Sequence, residues 1–320
     1  MRKLICFALI CLPCICIAQL KWRNVDSLFQ PLPPAVHVFF SNDTIDGKPF
    51  IGYYVEADLH NRQLKFTTDT TAGRRLTPSQ FYERNNAPLV VVNCTFFEFV
   101  HNRNLNLVMR DRRLLAHNMN THALRGRDTL KFAHVFSSAI GINRKGNADV
   151  AWTFTDSSKR WPYAMQSPLN ASVDSSSIWR LHNAKAYTSL SGRSLKKWKM
   201  NVAVGGGPVL LQDGDIKITN NEERKFGGRA INDKHPRTAM GYTKNGKLII
   251  LAIQGRFPGV AEGATLKQQA EILKDIGCTE ALNLDGGGSS CLLVNGKETI
   301  RPSDPQGQRP VPAVFIIRQR

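Results

Sequence analysis

Three clusters in this sequence gather side chains able to do chemistry: Asn93-Cys94-Thr95-Phe96-Phe97-Glu98, Gly205-Gly206-Gly207-Pro208 and Asp285-Gly286-Gly287-Gly288-Ser289-Ser290. A fourth, His235-Pro236-Arg237-Thr238-Ala239, opens an apolar run. The first three lie where apolar stretches give out, and loops at strand ends are where a rigid sheet can hold a site. Asp285 is followed by three glycines, which neither a helix nor a strand interior favours. Gly286, Gly287 and Gly288 permit positive φ and close backbone approach, so their N–H groups could converge on an anion, with Ser289 and Ser290 adding hydroxyl donors. The same residues could instead form an Asx-type turn between two strands. Gly205, Gly206 and Gly207 read either as a second cradle or as a bulge. They lack the GxGxxG spacing of a dinucleotide site and the GK[ST] ending of a phosphate-binding loop.

Arg237 enters its strand behind Pro236, and its planar guanidinium offers paired donors that match phosphate oxygens; a surface ion pair is the other reading. Arg256, after Gln254-Gly255, carries the same two readings. Asn93 could bind a sugar hydroxyl, and Thr238 lies next to Arg237. Glu98 and Asp285 are candidate carboxylates for glycoside cleavage, which uses one acid and one base or nucleophile around the anomeric carbon. There is no GxSxG elbow and no HExxH string. The eight histidines show no ligand spacing, so no metal and no cofactor is expected.

The elements that must hold these clusters follow from periodicity. Val36–Phe40, Phe50–Asp58 and Gln63–Thr68 read as antiparallel strands, and Pro88–Asn93 as a strand buried on both faces. Asn104–Arg110 pairs with Arg113–His117, and His134–Asn143 with Ala148–Phe154. Val202–Val204 and Val209–Gln212 flank the first glycine run. Ala239–Thr243 and Lys247–Ile253 form a hairpin about Asn245-Gly246. Ala281–Asp285, Cys291–Val294 and Val311–Ile317 complete the strands. Thr77-Pro78-Ser79-Gln80 starts a helix ending near Asn85. Thr265–Ile276 is the clearest helix, with a Thr265/Gln268 capping box, an apolar face of Leu266, Ala270, Leu273 and Ile276, and Gly277 to end it. The polar, Ser-rich stretch 155–199 reads as a long irregular excursion. The sum is an α+β fold, largely antiparallel sheets with a few flanking helices, in a single domain spanning 36–320.

Composition bounds the partners. Lys and Arg number 43 against 25 Asp and Glu, a formal charge of +18. Such a balance draws anions: nucleic acid, membrane surface or phosphate-bearing glycans. No helix-turn-helix, zinc-finger or RNA-recognition string accompanies it, so nucleic acid is not the expected partner. Met1-Arg2-Lys3 followed by the apolar run Leu4–Ala18 reads as a cleavable secretory signal over 1–18, with 19–35 as a loose, proline-ended lead-in. Cleavage predicts a secreted or periplasmic protein with no integral membrane segment. It also removes Cys6, Cys11, Cys14 and Cys16, leaving Cys94, Cys278 and Cys291 as buried thiols.

In this order the clusters resemble the phosphodiester glycosidase family. The resemblance runs through NCTFFE at 93–98, GGGPVLLQDG at 205–214, HPRTAMGYTKNGKLIILAIQGR at 235–256, GATLKQQAEILKDIGC at 263–278 and LNLDGGGSSCLLVNG at 282–296. It implies hydrolysis of the glycosidic bond of a sugar 1-phosphodiester, with a sugar-phosphate or phosphoglycan substrate. Asn93, Arg237 and Asp285 would stand at the site, lined by glycines 205–207 and 286–288 with Thr238, Ser289 and Ser290. Cys94 stands where the family usually has glycine, and Gln254 where an acidic residue is common. A glycan-binding protein without catalysis and a metal-dependent phosphodiesterase are the rival classes.

Overall fold

A computed structural model describes residues 20–320, so the expected signal over 1–18 lies outside the described residues. Three sheets enclose the main core. The eight-stranded sheet runs Arg23–Asn24, Val36–Ser41, Gly52–Asp58, Lys247–Ile253, Arg237–Thr243, Cys278–Asn283, Val209–Gln212, Asp215–Ile216. The seven-stranded sheet runs Lys196–Lys197, Tyr163–Met165, Ala148–Phe154, Ser137–Ile142, Val202–Gly205, Val108–Arg110, Arg113–Ala116. The five-stranded sheet runs Lys297–Glu298, Leu292–Val294, Val90–Asn93, Ala313–Gln319, Leu64–Thr70. All the pairings within these sheets are antiparallel. The α+β, single-domain expectation holds.

The period-2 alternation of strand side chains explains the layering. In Lys247–Ile253, Leu248, Ile250 and Ala252 face the main core, while Ile249, Leu251 and Ile253 pack on the other side with Leu266, Ala270 and Leu273 of the helix Leu266–Asp275. Val90 and Val92 likewise face the main core, and Val91 meets Phe81 of the helix Pro78–Arg84. Strands covered on both faces must be apolar along the covered stretch, as 248–253 and 90–92 are. Both helices start on the expected capping boxes: Thr77 with Gln80, and Thr265 with Gln268. Leu273 is fully buried, so its side chain alone is worth about 2–5 kcal/mol to the packing that backs the strand leading to Asp285.

Two stretches are more ordered than the sequence suggests. Within 155–199 lie the strands Tyr163–Met165 and Ser172–Asp174 and the helix Leu181–Leu190. The helix lacks a long apolar stripe, but Trp179 next to it stacks on His134 and meets Phe136 and Phe154. Long-range aromatic packing, absent from any local pattern, fixes the excursion. In the lead-in, Arg23–Asn24 pairs with Phe39–Phe40 and Phe29 is buried. The Asp26 carboxylate accepts the Val38 N–H at 2.6 Å, anchoring that segment to its neighbouring strand. The strand expected to end on Asp285 stops at Asn283, so Asp285 belongs to the loop. Cys94, Cys278 and Cys291 are buried free thiols, as expected.

Candidate active site

The ends of the three core sheets meet at the clusters. Asn93 closes its strand in the five-stranded sheet, Gly205 closes one in the seven-stranded sheet, and Arg237 opens one in the eight-stranded sheet. Asn93 is fully buried. Its Oδ1 accepts from Thr238 Oγ1 at 2.9 Å and from the Cys291 N–H at 3.0 Å, and its Nδ2 donates to the Asp285 carbonyl at 2.6 Å. One buried amide therefore ties together the chain at 93, 238, 285 and 291, which is how buried polar groups are normally satisfied. The Asp285 N–H donates to the Cys94 carbonyl at 2.9 Å. Asp285 is held from both sides by the first cluster.

The loop after Asp285 makes a short 3-10 turn, Gly287–Ser289. Its glycines are demanded by neighbours. A Cβ on Gly286 would lie 2.9 Å from the Pro236 carbonyl oxygen, and one on Gly288 would fall 2.3 Å from an Arg309 guanidinium nitrogen. Gly287 has φ +62 and approaches Arg256. The loop is thus flanked by Arg256 and Arg309, with the start of the Arg237 strand beneath it. Ser289 and Ser290 are buried, and neither hydroxyl closes a hydrogen bond of good geometry with a protein group. The same holds for His235 Nδ1. Buried polar atoms without partners cost about 1–3 kcal/mol each, so hydroxyls left open in the loop that follows Asp285 are free to bond a ligand.

Burial pushes the Asp285 carboxyl up to about 7, against the opposing pull of the Ser289 hydroxyl, Arg309 and the Gly286 N–H. Glu98 is the opposite case. Its carboxylate accepts from the N–H groups of Val100 at 2.8 Å and His101 at 2.9 Å and from Arg103 Nε at 3.2 Å. Those bonds, led by His101, hold it down at about 2. Glu98 braces its own loop with a fixed negative charge, whereas Asp285 can exchange a proton near neutrality.

Arg237 is 2% exposed. Its Nε donates to the Ala264 carbonyl at 2.9 Å and its Nη2 to the Asp233 carbonyl at 3.0 Å, and its guanidinium stands 5.8 Å from the Phe226 ring centre. Among the described residues no carboxylate pairs with it within 4.0 Å. Burial, then Arg256, lowers it to about 10. A buried cation without an anionic partner is costly, and binding an anion relieves that cost. Arg256 itself is exposed, at φ 67.

The Gly205–Gly207 run is not an N–H cradle. The Gly205, Gly206 and Gly207 N–H groups already donate to the carbonyls of Leu107, Ser138 and Asn283. These glycines allow close approach: a Cβ would meet Asn106 at 205, the Asn283 carbonyl at 206, and Glu223 with Lys225 at 207. Gln254, at the position where an acid is common, accepts the Arg301 N–H at 2.8 Å. Cys94 is a buried thiol pushed up to about 12. Among the described residues no group of three or more His, Cys, Asp or Glu side chains could hold a metal ion.

Three neighbours went unnoticed in the sequence. Arg309, ion-paired to Asp304 at 2.7 Å, sits in a proline-rich C-terminal stretch where nothing local distinguishes it. Glu223 and Lys225 lie in a run of mixed charges that reads as solvated surface, yet Glu223 is 1% exposed.

The phosphodiester glycosidase family model matches residues 86–318. Over 103 residues the chain is 34% identical to an N-acetylglucosamine-1-phosphodiester alpha-N-acetylglucosaminidase of Bos taurus, covering 30% of this chain and 19% of that protein. In fold it resembles the catalytic domain of the zebrafish N-acetylglucosamine-1-phosphodiester alpha-N-acetylglucosaminidase, auto-inhibited by its pro-peptide: TM-score 0.58, 20% identity, 95% of this chain and 89% of that one. A hypothetical protein from Synechocystis is similar, with TM-score 0.60 at 18% identity over 91% of this chain and 64% of that one. Every cluster that builds the site lies within the matched residues, and the chain belongs to the phosphodiester glycosidase family.

Proposed function

We propose that the protein is an exported hydrolase that cleaves the C–O bond between a sugar and phosphate in a sugar 1-phosphodiester, releasing free sugar and a phosphate monoester. The observation that carries this reading is that the loop of Asp285, a carboxyl pushed up to about 7, packs on the start of the strand that bears the unpaired buried cation Arg237, with Arg256 and Arg309 beside the glycine turn. The cations suit the phosphate, and Ser289 and Ser290 suit sugar or phosphate oxygens. A phosphate monoester is a good leaving group without protonation, since its second pKa is about 6. The step that needs help is attack by water at the anomeric carbon, so Asp285 serves as the base. A single titrating carboxylate is then sufficient, and Glu98 can remain a brace.

Hydrolysis in heavy-oxygen water tests the bond. The label is expected in the released sugar, because attack at the anomeric carbon leaves the phosphate oxygens untouched. Label in the phosphate monoester would establish P–O cleavage and the phosphodiesterase class. Binding of the ester without turnover would establish a glycan-binding protein.

Export rests on the sequence 1–18. Among the described residues no helix is long and apolar enough to cross a membrane. N-terminal sequencing of protein recovered from the periplasm or medium is expected to begin near Gln19. Full-length chain retained in the cytoplasm would overturn the export reading.

A further inference from the structure

Lys225 has no role in the reading above, yet it stands at the edge of the same site. It follows the short helix Asn220–Glu223 and Arg224, whose φ is 51. Glu223 lies beneath it and is fully occupied. Its carboxylate accepts from the Ser138 N–H at 3.0 Å, Ser138 Oγ at 2.7 Å, the Val209 N–H at 2.9 Å and Thr219 Oγ1 at 2.7 Å. Lys225 makes no ion pair within 4.0 Å among the described residues. Its stem covers Gly207, where a Cβ would lie 2.7 Å from Lys225 Cε and 2.3 Å from Glu223 Oε2. Gly207, at φ +116, is thus the residue that lets this lysine reach the site.

The lysine shares an aromatic pair with Arg237. Its ammonium is 5.5 Å from the Phe96 ring centre; Phe96 meets Phe226 edge to face at 5.9 Å; Arg237 stands 5.8 Å from Phe226. The Phe96 backbone borders residues that line a cavity. Its carbonyl accepts the Leu105 N–H, the Leu105 carbonyl accepts the Met119 N–H, and Leu105 and Met119 both line a cavity of about 690 Å³. Burial, and then the nearby charges of Lys225 and Arg224, hold the His122 imidazole below its usual range. Lys225 and Arg224 thus bring two cations together beside His122, while the neighbouring Glu223 is already satisfied by four donors. Like charges so placed repel until a further anion enters.

We propose that Lys225, with Arg224 and His122, forms a second anion station, which receives a further phosphate on the part of the substrate beyond the scissile phosphodiester. Lys225 is then a specificity-determining residue, and the substrate is a polyanion rather than a neutral glycoside of phosphate. This inference rests on the hydrolytic reading above.

Two esters of N-acetylglucosamine 1-phosphate, one with propanediol and one with glycerol 3-phosphate, separate the claims. Wild type is expected to favour the glycerol 3-phosphate ester by about tenfold in kcat/KM at low salt, mainly through KM, as one added charge-assisted contact allows. The preference should shrink as salt rises. Lys225→Met and, independently, the surface change Arg224→Ala should each reduce the preference ratio. Equal kcat/KM for the two esters in wild type, or an unchanged ratio in a folded Lys225→Met protein, would overturn the station. Turnover of neither ester would count against the hydrolytic reading instead. The station is then tested by binding alone: pyrophosphate should raise the wild-type Tm more than inorganic phosphate does, and Lys225→Met should abolish that difference. Equal protection by the two anions in wild type would refute it.

Discussion

Asp285→Asn is expected to lower kcat by roughly two to four orders of magnitude, the usual loss when a general acid–base group is removed. The substitution keeps the size of the side chain and its ability to accept from the Gly286 N–H, so the turn survives. It removes the ionised form that accepts a proton from water. With the carboxyl pushed up to about 7, wild-type kcat/KM should rise with pH through the neutral range and level off above it. That limb should vanish in the residual activity of the variant. Stability should move the other way. The folded pKa lies above the ordinary aspartate value, so the favourable contribution is present below about 4 and lost as pH rises through about 7. Above that pH the wild type holds a desolvated charge. Asp285→Asn should therefore be more stable than wild type at pH 8, on the order of 1–3 kcal/mol, and indistinguishable near pH 4. Glu98→Gln, measured in parallel, should keep turnover within about tenfold of wild type and lose some thermal stability, because an amide cannot replace a carboxylate that accepts so many N–H donors. Near-normal turnover in a folded Asp285→Asn protein, or a dead Glu98→Gln protein, would move the chemistry to the first cluster.

Arg237→Lys should reduce kcat/KM by about a hundredfold or more, since a lysine point charge cannot supply the paired donors of a guanidinium to a phosphate. The structure adds a stability cost to this change. Arg237 also holds the Ala264 and Asp233 carbonyls, and a lysine ammonium cannot keep both bonds and still face the substrate. A fall in Tm is expected, so turnover must be read well below the melting range. Inorganic phosphate separates the roles: it should protect wild type against thermal unfolding and protect Arg237→Lys much less. A folded variant with wild-type turnover and full protection by phosphate would show that Arg237 only anchors the two loops.

The strands and helices whose pattern is local were legible in the chain. Ala148–Phe154 and Lys247–Ile253 fall where the sequence places them, because alternation and an Asn-Gly turn are local consequences of pleating and of positive φ. The helix Leu266–Asp275 declares itself through its capping box and its apolar face. Unbroken apolar runs such as 89–92 also predict burial on both faces, since only a strand covered twice has no use for polar residues. The order of glycine, arginine and aspartate clusters was enough to point to a family and to a sugar–phosphate bond.

Other features required the tertiary structure, for a common reason. The partners of a side chain at a strand end come from distant parts of the chain. Asn93 reads as a sugar ligand alone but as a brace once Thr238, Asp285 and Cys291 surround it. Glycines 205–207 read as a cradle until their N–H groups are found bonded to carbonyls and their missing Cβ atoms explained by Asn106, Asn283 and Lys225. The contrast between Asp285 and Glu98 is invisible in composition: both are single carboxylates after apolar runs. Burial raises one, and a ring of N–H donors lowers the other. Desolvation and hydrogen bonding act through space, so proton affinity is a property of the fold. The residue types set which chemistries the chain could attempt, and the meeting of three sheet edges decided which carboxylate is free to exchange a proton near neutral pH.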